Sequence, residues 1–133
     1  MKRYLLIAAC LTLCVAAWSQ DEGEFQKWMK SAGATCGSLS KNLKAGNGEA
    51  AAADAHKLHD AFDEMHGFWE KKHLDDAAKF ALQARDGFGK IAEEASAGKL
   101  DDASATFKET TANCGGCHSA HREKAADGSF KIK

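Results

Sequence analysis

Two cysteines and a histidine stand close together in the run Cys114-Gly115-Gly116-Cys117-His118. In an exported protein this spacing, C-x-x-C-H, is the attachment motif for c-type haem. The chemistry needs the spacing, because two thiols add across the two vinyl groups of one porphyrin and the next residue presents an imidazole to the iron. On a helix the two cysteines and the histidine share one face. The motif therefore favours a covalently bound haem.

Two other chemistries use the same residue types. A zinc site made from Cys114, Cys117, His118 and His121 would take four ligands from eight residues. Structural zinc sites draw two of their ligands from a separate segment. A disulfide between the two cysteines would leave the adjacent histidine without a role. Zinc binding and thiol redox chemistry stay as the alternatives.

The N-terminus has the pattern of a secretory signal. Lys2 and Arg3 precede an apolar run over 4–17, and small residues at Ala17 and Ser19 favour cleavage after Ser19. We therefore expect a signal peptide over 1–19, a single domain over 20–133 and a periplasmic location, with the membrane touched only through the signal. A retained anchor is the alternative, although the run is short of the ~20 residues that span a bilayer. Lipidation at Cys10 is a second alternative to a cleaved signal.

Composition excludes several classes of protein. Export leaves Cys36, Cys114 and Cys117, and three cysteines do not make a disulfide scaffold. A net charge of −1 over 133 residues excludes a nucleic-acid binder that relies on bulk positive charge. The chain has no proline and much alanine and lysine, which favours an almost entirely helical fold. The C-x-x-C motif then lacks the strands of a thioredoxin-like protein.

Four segments, separated at 46–48, 73–76 and 98–101, each carry an apolar stripe with alternating steps of four and three. The stripes are Phe25, Met29, Ala32, Cys36, Leu39, Leu43; Ala51, Ala55, Leu58, Phe62, Met65, Trp69; Ala77, Ala81, Ala84, Phe88, Ile91, Ala95; and Ala103, Phe107, Thr110, Cys114, Cys117, His121. They predict an all-α fold, an antiparallel up-down-up-down four-helix bundle with haem near the C-terminal end of helix 4. Gly98 is expected to end a helix, and Asp75 and Asp101 to be N-caps. The many alanines indicate that something besides side chains fills part of the core.

The run from Cys114 to Arg122, with an arginine four residues beyond His118 on the last helix of a bundle, resembles the class II c-type cytochromes, the cytochrome c′ and cytochrome c-556 family. The resemblance covers the architecture of 20–133 and is specific in sequence over 114–122. It implies one covalent haem c, whose iron takes His118 as an axial ligand. It also implies that the opposite position faces the first helix, with an apolar residue in five-coordinate members and a methionine in the c-556 type. The matching residue here is Met29.

Bundle geometry supports Met29 independently. The end of helix 4 lies beside the start of helix 1, so Met29 and Cys117 are expected at the same level. Met29 also falls on the apolar stripe, whereas Trp28 and Lys30 do not. Only fifteen residues follow His118, which places any second ligand upstream. Met65, a histidine or an open sixth position remain the alternatives.

Other residues receive more ordinary interpretations. His56, His59, His66 and His73 are expected to form a polar strip beside the core, with a second metal site as the alternative. Cys36 is expected to be a small buried hydrophobic residue, or else a cysteine of a dimer disulfide. Arg122 is expected beside His118, where its charge would tune the iron's reduction potential, with a solvated helix end as the alternative. His121 is a candidate to shield the haem edge or to contact a haem propionate.

Two functions follow from these expectations. The first is a periplasmic electron-transfer protein with His/Met ligation, whose redox partner proteins carry a basic docking patch. The second is a five-coordinate protein that binds gaseous ligands such as nitric oxide or carbon monoxide. A helical protein with a non-haem metal is a third. No nucleophile stands beside a base, so no enzyme activity is expected. The family resemblance implies a homodimer through the first two helices.

Overall fold

The computed structural model describes the backbone from Lys2 and the side chains from Asp21 to Lys133. The elements are α1 (Lys2–Lys44), α2 (Gly48–Lys71), α3 (Asp75–Ser96), α4 (Leu100–His121), β1 (Arg122–Lys124) and β2 (Phe130–Ile132). The signal peptide expected over 1–19 lies outside the residues whose side chains are described. In the part of the chain that was searched for membrane spans, no helix has the length and apolar character to cross a bilayer.

The predicted four-helix bundle is confirmed. Each helix packs on the next along the chain, and short connections make consecutive helices antiparallel. The stripes predicted for α2 and α3 are buried at every position. The stripes of α1 and α4 are buried only in part. Their half-buried positions are Met29, Cys36, Phe107, Cys114, Cys117 and His121. The incompletely covered positions therefore lie on the two helices that carry Met29 and the C-x-x-C-H motif.

The helix boundaries agree with the predicted breaks, but two N-caps were wrong. Gly46 and Gly98 have φ angles of 74° and follow the ends of α1 and α3, as a terminating glycine does. The residues before α3 and α4 are Leu74 and Lys99, and neither makes a side-chain capping bond. Asp75 and Asp101 lie inside the first turn, where a carboxylate interacts favourably with the helix dipole.

A short antiparallel hairpin after α4 was not predicted. β1 pairs with β2 in a register that sets Arg122 opposite Ile132 and Lys124 opposite Phe130. Gly128 takes a φ of 86° in the connecting turn, and the Asp127 side chain accepts a hydrogen bond from the Ser129 N–H at 2.9 Å. An Asp-Gly pair before an alternating strand is a strong local signal for a hairpin. The hairpin positions residues beside the end of α4.

Candidate functional site

The C-x-x-C-H motif, Cys114 to His118, lies in the last two turns of α4. Cys114, Cys117 and His118 are half-buried, whereas Gly115 and Gly116 are exposed. A Cβ atom added at Gly116 would lie 2.8 Å from the Phe80 ring on α3, while a Cβ at Gly115 would meet nothing within 4 Å. The Phe80 ring therefore packs closely against Gly116 and leaves Gly115 open. Cys114, Cys117 and His118 line the interior space at this level.

A cavity of about 240 Å³ lies between the four helices at this level. Its lining residues are Met29, Ala32, Gly33 and Cys36 of α1; Phe62, Met65 and Trp69 of α2; Phe80, Ala81 and Ala84 of α3; and Thr111, Asn113, Cys114, Cys117 and His118 of α4. Most of these side chains are apolar. The small residues Ala32, Gly33, Ala81 and Ala84 leave the space open.

Burial sets the protonation states of the three motif side chains. Burial raises the pKa of Cys114. Burial also raises the pKa of Cys117, and the negative charges of Asp76 and of an ionised Cys114 raise it further. Burial also lowers the pKa of His118, and the Arg122 charge lowers it further. At neutral pH the two cysteines are thiols and His118 is a neutral imidazole. A neutral imidazole is the form that binds a metal.

The structure brings Met29 together with the motif. Met29 lines the cavity and also a smaller cleft of about 20 Å³, and Cys117 and His118 border both. The neighbouring Trp28 packs edge-on against Phe68, with ring centroids 6.5 Å apart, and faces a separate surface groove. Lys30 is exposed. Of these three neighbouring residues, only Met29 contributes to the walls of either space.

Cys36 faces the same cavity from α1. It is a half-buried free cysteine. Burial, and then the charge of Cys114, raises its pKa to about 11. The sequence interpretation treated Cys36 as a small buried hydrophobic residue. Its protonated state agrees with that, and its location adds a third thiol to the walls of the cavity.

Arg122 and His121 lie at the end of α4, beside the smaller cleft. The Arg122 guanidinium stacks over the Phe130 ring at 4.1 Å. His121 lies 2.8 Å from Asp76 through Nε2 and Oδ2, with its ring centroid 5.6 Å from that of Trp69. His121 therefore connects the end of α4 to the start of α3. Arg122 is an exposed residue whose charge reaches His118.

The four histidines of the second helix and its following turn lie elsewhere. His56 and His73 are exposed, His59 lies 3.1 Å from Asp60, and His66 lies 3.7 Å from Glu70. None of them lines the cavity. In the part of the chain searched for metal sites, no three His, Cys, Asp or Glu side chains form a group that could hold a metal ion.

Sequence reasoning expected Phe80 at this end of the bundle, where it does line the cavity, but it missed two contributors to the site. Lys131 and Ile132 of the hairpin line the smaller cleft. The Asp127-Gly128 pair before the alternating residues 130–132 is the signal that could have revealed them. The chain matches no protein-family model, and comparison with curated proteins and with solved structures finds no significant similarity.

Proposed function

We propose that this chain is an exported c-type cytochrome that binds one covalent haem and transfers electrons. One observation supports the proposal most. Cys114, Cys117, His118 and Met29 line a single, mostly apolar cavity inside a four-helix bundle. They are two thiols, an imidazole and a thioether, the groups that tether a c-type haem and bind its iron from both sides.

The residues present fit such a group. The two thiols lie one helical turn apart on α4, where both can reach one edge of a flat macrocycle. Apart from the motif and Cys36, the lining is mostly alanine, methionine and aromatic side chains, which suits an apolar ring. The volume is slightly below the roughly 300 Å³ of the smallest ligand sites. Seating a macrocycle therefore requires half-buried lining residues such as Phe80 and Met29 to move.

Each residue then has a defined task. Cys114 and Cys117 tether the group to α4, and His118 supplies a neutral nitrogen ligand from the same helix. Met29 approaches from α1, and the aromatic and alanine walls from α2 and α3 keep water away. A haem held there supplies a one-electron redox centre. A methionine opposite the histidine raises the reduction potential above that of a bis-histidine site.

The charge of the exported domain bears on its partner. Without Lys2 and Arg3 the chain has 16 basic and 19 acidic residues. A modest negative charge favours redox partner proteins with a basic docking surface. Such complementarity acts on the association rate more than on the affinity. Export itself is part of the proposal and rests on the pattern in 1–19.

The test is the optical spectrum of the protein produced in a host that matures c-type haem, oxidised and then reduced, together with the mass of the purified chain. We expect a low-spin spectrum, the weak methionine-to-ferric-iron band, and a mass increased by one haem that survives denaturation. Cys114→Ala and Cys117→Ala together should abolish the attachment. Cys36→Ala is the matched control, because it removes a thiol from the same cavity and should leave attachment intact.

Two results would overturn parts of the proposal. An unmodified mass in the wild-type protein would remove the haem assignment. A covalent but high-spin spectrum that shifts on addition of nitric oxide or carbon monoxide would indicate an open sixth position. The gas-binding function would then replace electron transfer.

A further inference from the structure

The C-terminal hairpin bridges α4 and α1 at the end of the bundle that holds the motif. The Lys133 N–H donates to the His121 carbonyl at 3.1 Å. The Ile132 N–H donates to Glu22 Oε1 on α1 at 3.2 Å, and the Ile132 side chain packs on the hydrophobic core. The hairpin is therefore attached to both helices that carry the proposed iron ligands.

The smaller cleft lies where this hairpin meets the candidate site. One part of its wall consists of Met29, Cys117 and His118, and another part of Lys131 and Ile132 from β2. Phe25 and Trp69 make the same cleft apolar on the bundle side. The hairpin thus contributes Lys131 and Ile132 to the edge of the space between the proposed ligands, while the Lys131 ammonium itself pairs with Glu123 across the hairpin.

The cations around the cleft differ in how firmly they are held. Arg122 is stacked over Phe130, and His121 is bonded to Asp76. Lys131 lies 3.0 Å from Glu123, and both side chains are about half-exposed, at 54% and 46%. An exposed ion pair of this kind contributes at most about 1 kcal/mol. Lys131 can therefore exchange Glu123 for another carboxylate at little cost.

We propose that the hairpin is a carboxylate-binding element for the cofactor, with Lys131 as the residue that binds. The inference rests on the proposed function and names a part of the site outside the motif. A haem carries two carboxylate side chains in addition to the vinyl groups that the cysteines use. The Lys131 ammonium pairs with one of them, and Ile132 covers the ring edge next to it. A charge-assisted bond at this position holds the haem edge against the hairpin.

The first test compares lysine reactivity in the haem-loaded protein and in the Cys114→Ala/Cys117→Ala variant. An amine-acylating reagent is applied to both, and labelled positions are read by mass spectrometry. We expect Lys131 to lose reactivity on loading. Lys124, which belongs to the same hairpin but does not line the cleft, should label equally in both. Equal labelling of Lys131 in the two forms would overturn the proposal.

The second test measures the reduction potential of loaded variants at low salt. Lys131→Gln should lower the equilibrium constant for reduction, because it removes a positive charge that disfavours the oxidised iron, by at most about fivefold, the upper limit for an exposed charge interaction. Lys131→Arg should restore the wild-type value, and Lys124→Gln should change it less than Lys131→Gln does. The effect should shrink in high salt, as a screened charge interaction does.

The outcomes separate this inference from the function on which it rests. A wild-type chain without covalent haem would refute both. A chain with covalent haem in which Lys131→Gln and Lys124→Gln have the same potential would refute the hairpin's role alone. The spectrum and the attachment would then still support the cytochrome.

Discussion

Met29 and Met65 both bring a thioether to the cavity, but their surroundings differ. Met65 is 1% exposed in the core and borders the larger cavity. Met29 is half-buried and borders both the cavity and the cleft beside Cys117 and His118. Both methionines share the larger cavity with His118, but only Met29 also shares the smaller cleft with it, so Met29 is the thioether that the proposed haem would take at its sixth position.

The two methionines make a matched pair for mutation. Met29→Leu should remove the methionine-to-ferric-iron band from the oxidised spectrum, because leucine has no ligand atom. Met65→Leu should keep it. Each exchange nearly conserves volume and should cost less than about 1.5 kcal/mol of stability. Loss of the band in Met65→Leu alone would assign the ligand to α2.

Cys36 should react slowly in the folded protein. Its pKa rises from an ordinary 9.0 to about 11, so the thiolate fraction near pH 8 falls about a hundredfold. Alkylation of the native protein should therefore be about a hundredfold slower than after urea unfolding, and should accelerate as the pH rises toward 11. The measurement is the rate of mass increase with an alkylating reagent, with Cys36→Ser as the control. Equal rates in native and unfolded protein would contradict burial.

For single residues, the sequence predicted the residues of the motif and the position of Met29, because the local spacing and the helical period carry that information. It did not predict the close contact at Gly116. That contact is made by the Phe80 ring on another helix, which would lie 2.8 Å from a Cβ at 116. Contacts between helices at positions off the stripes are not encoded in the period of either helix.

At the scale of the helices, α3 and α4 lie close together at Gly87. A Cβ at this position would overlap the buried Thr110 side chain, whose hydroxyl donates to the Thr106 carbonyl at 2.8 Å. A β-branched, hydrogen-bonded residue cannot easily move aside. The two helices can therefore pack at this distance only because residue 87 has no side chain.

Gly87→Ala should consequently destabilise the bundle by about 1–3 kcal/mol through overpacking. Gly67→Ala on α2 is the control, since a Cβ there meets nothing within 4 Å. That change should stabilise the protein by up to about 1 kcal/mol, the helix preference of alanine over glycine. Urea unfolding followed by circular dichroism measures both. The same sign for both variants would contradict the packing.

The start of α3 and the end of α4 are joined by Asp76 and His121. The hydrogen bond from His121 lowers the pKa of Asp76 below its ordinary 3.8. A carboxylate whose pKa is lowered by folding stabilises the fold at any pH above its ordinary, unfolded-state pKa. This stabilisation is lost as the pH falls through the pKa of the folded state.

Asp76→Asn should therefore lower the unfolding temperature near neutral pH. The difference from wild type should vanish at a pH below both the folded-state and the unfolded-state pKa of Asp76. Asp75→Asn is the control, because Asp75 lies in the same exposed first turn. It should have the smaller effect at neutral pH. A difference between Asp76→Asn and wild type that persisted unchanged in acid would assign it to something other than ionisation.

Helix bounds were predictable from glycine positions, but caps and the hairpin were not. Asp75 and Asp101 are typical N-cap residues, yet the N-cap lies one residue earlier in α3 and two residues earlier in α4, so each aspartate falls in the first turn. The hairpin strands have three residues each. Their stability comes from attachment to His121 and Glu22, which a search along the sequence does not reveal.

For the whole molecule, the apolar stripes predicted which faces become the core and hence the bundle. They could not give the separation of α1 from α4, because a period specifies a direction and not a distance. The small residues Ala32, Gly33, Ala81 and Ala84 line the space that this separation leaves. The alanine content indicated that space would exist, and only the folded chain gives its location.

The order of the helices along the chain has a consequence for the timing of assembly. Synthesis runs from the N-terminus at about 5–20 residues per second, and in the proposed export the N-terminus also leads, so α1, α2 and α3 precede Cys114 in both processes. The aromatic contacts of Phe25 with Phe68 and Trp69 lie within α1 and α2 and can form first. If α4 docks last, the wall that carries the cysteines closes last as well. Until then the interior is open on the side from which the proposed haem would enter.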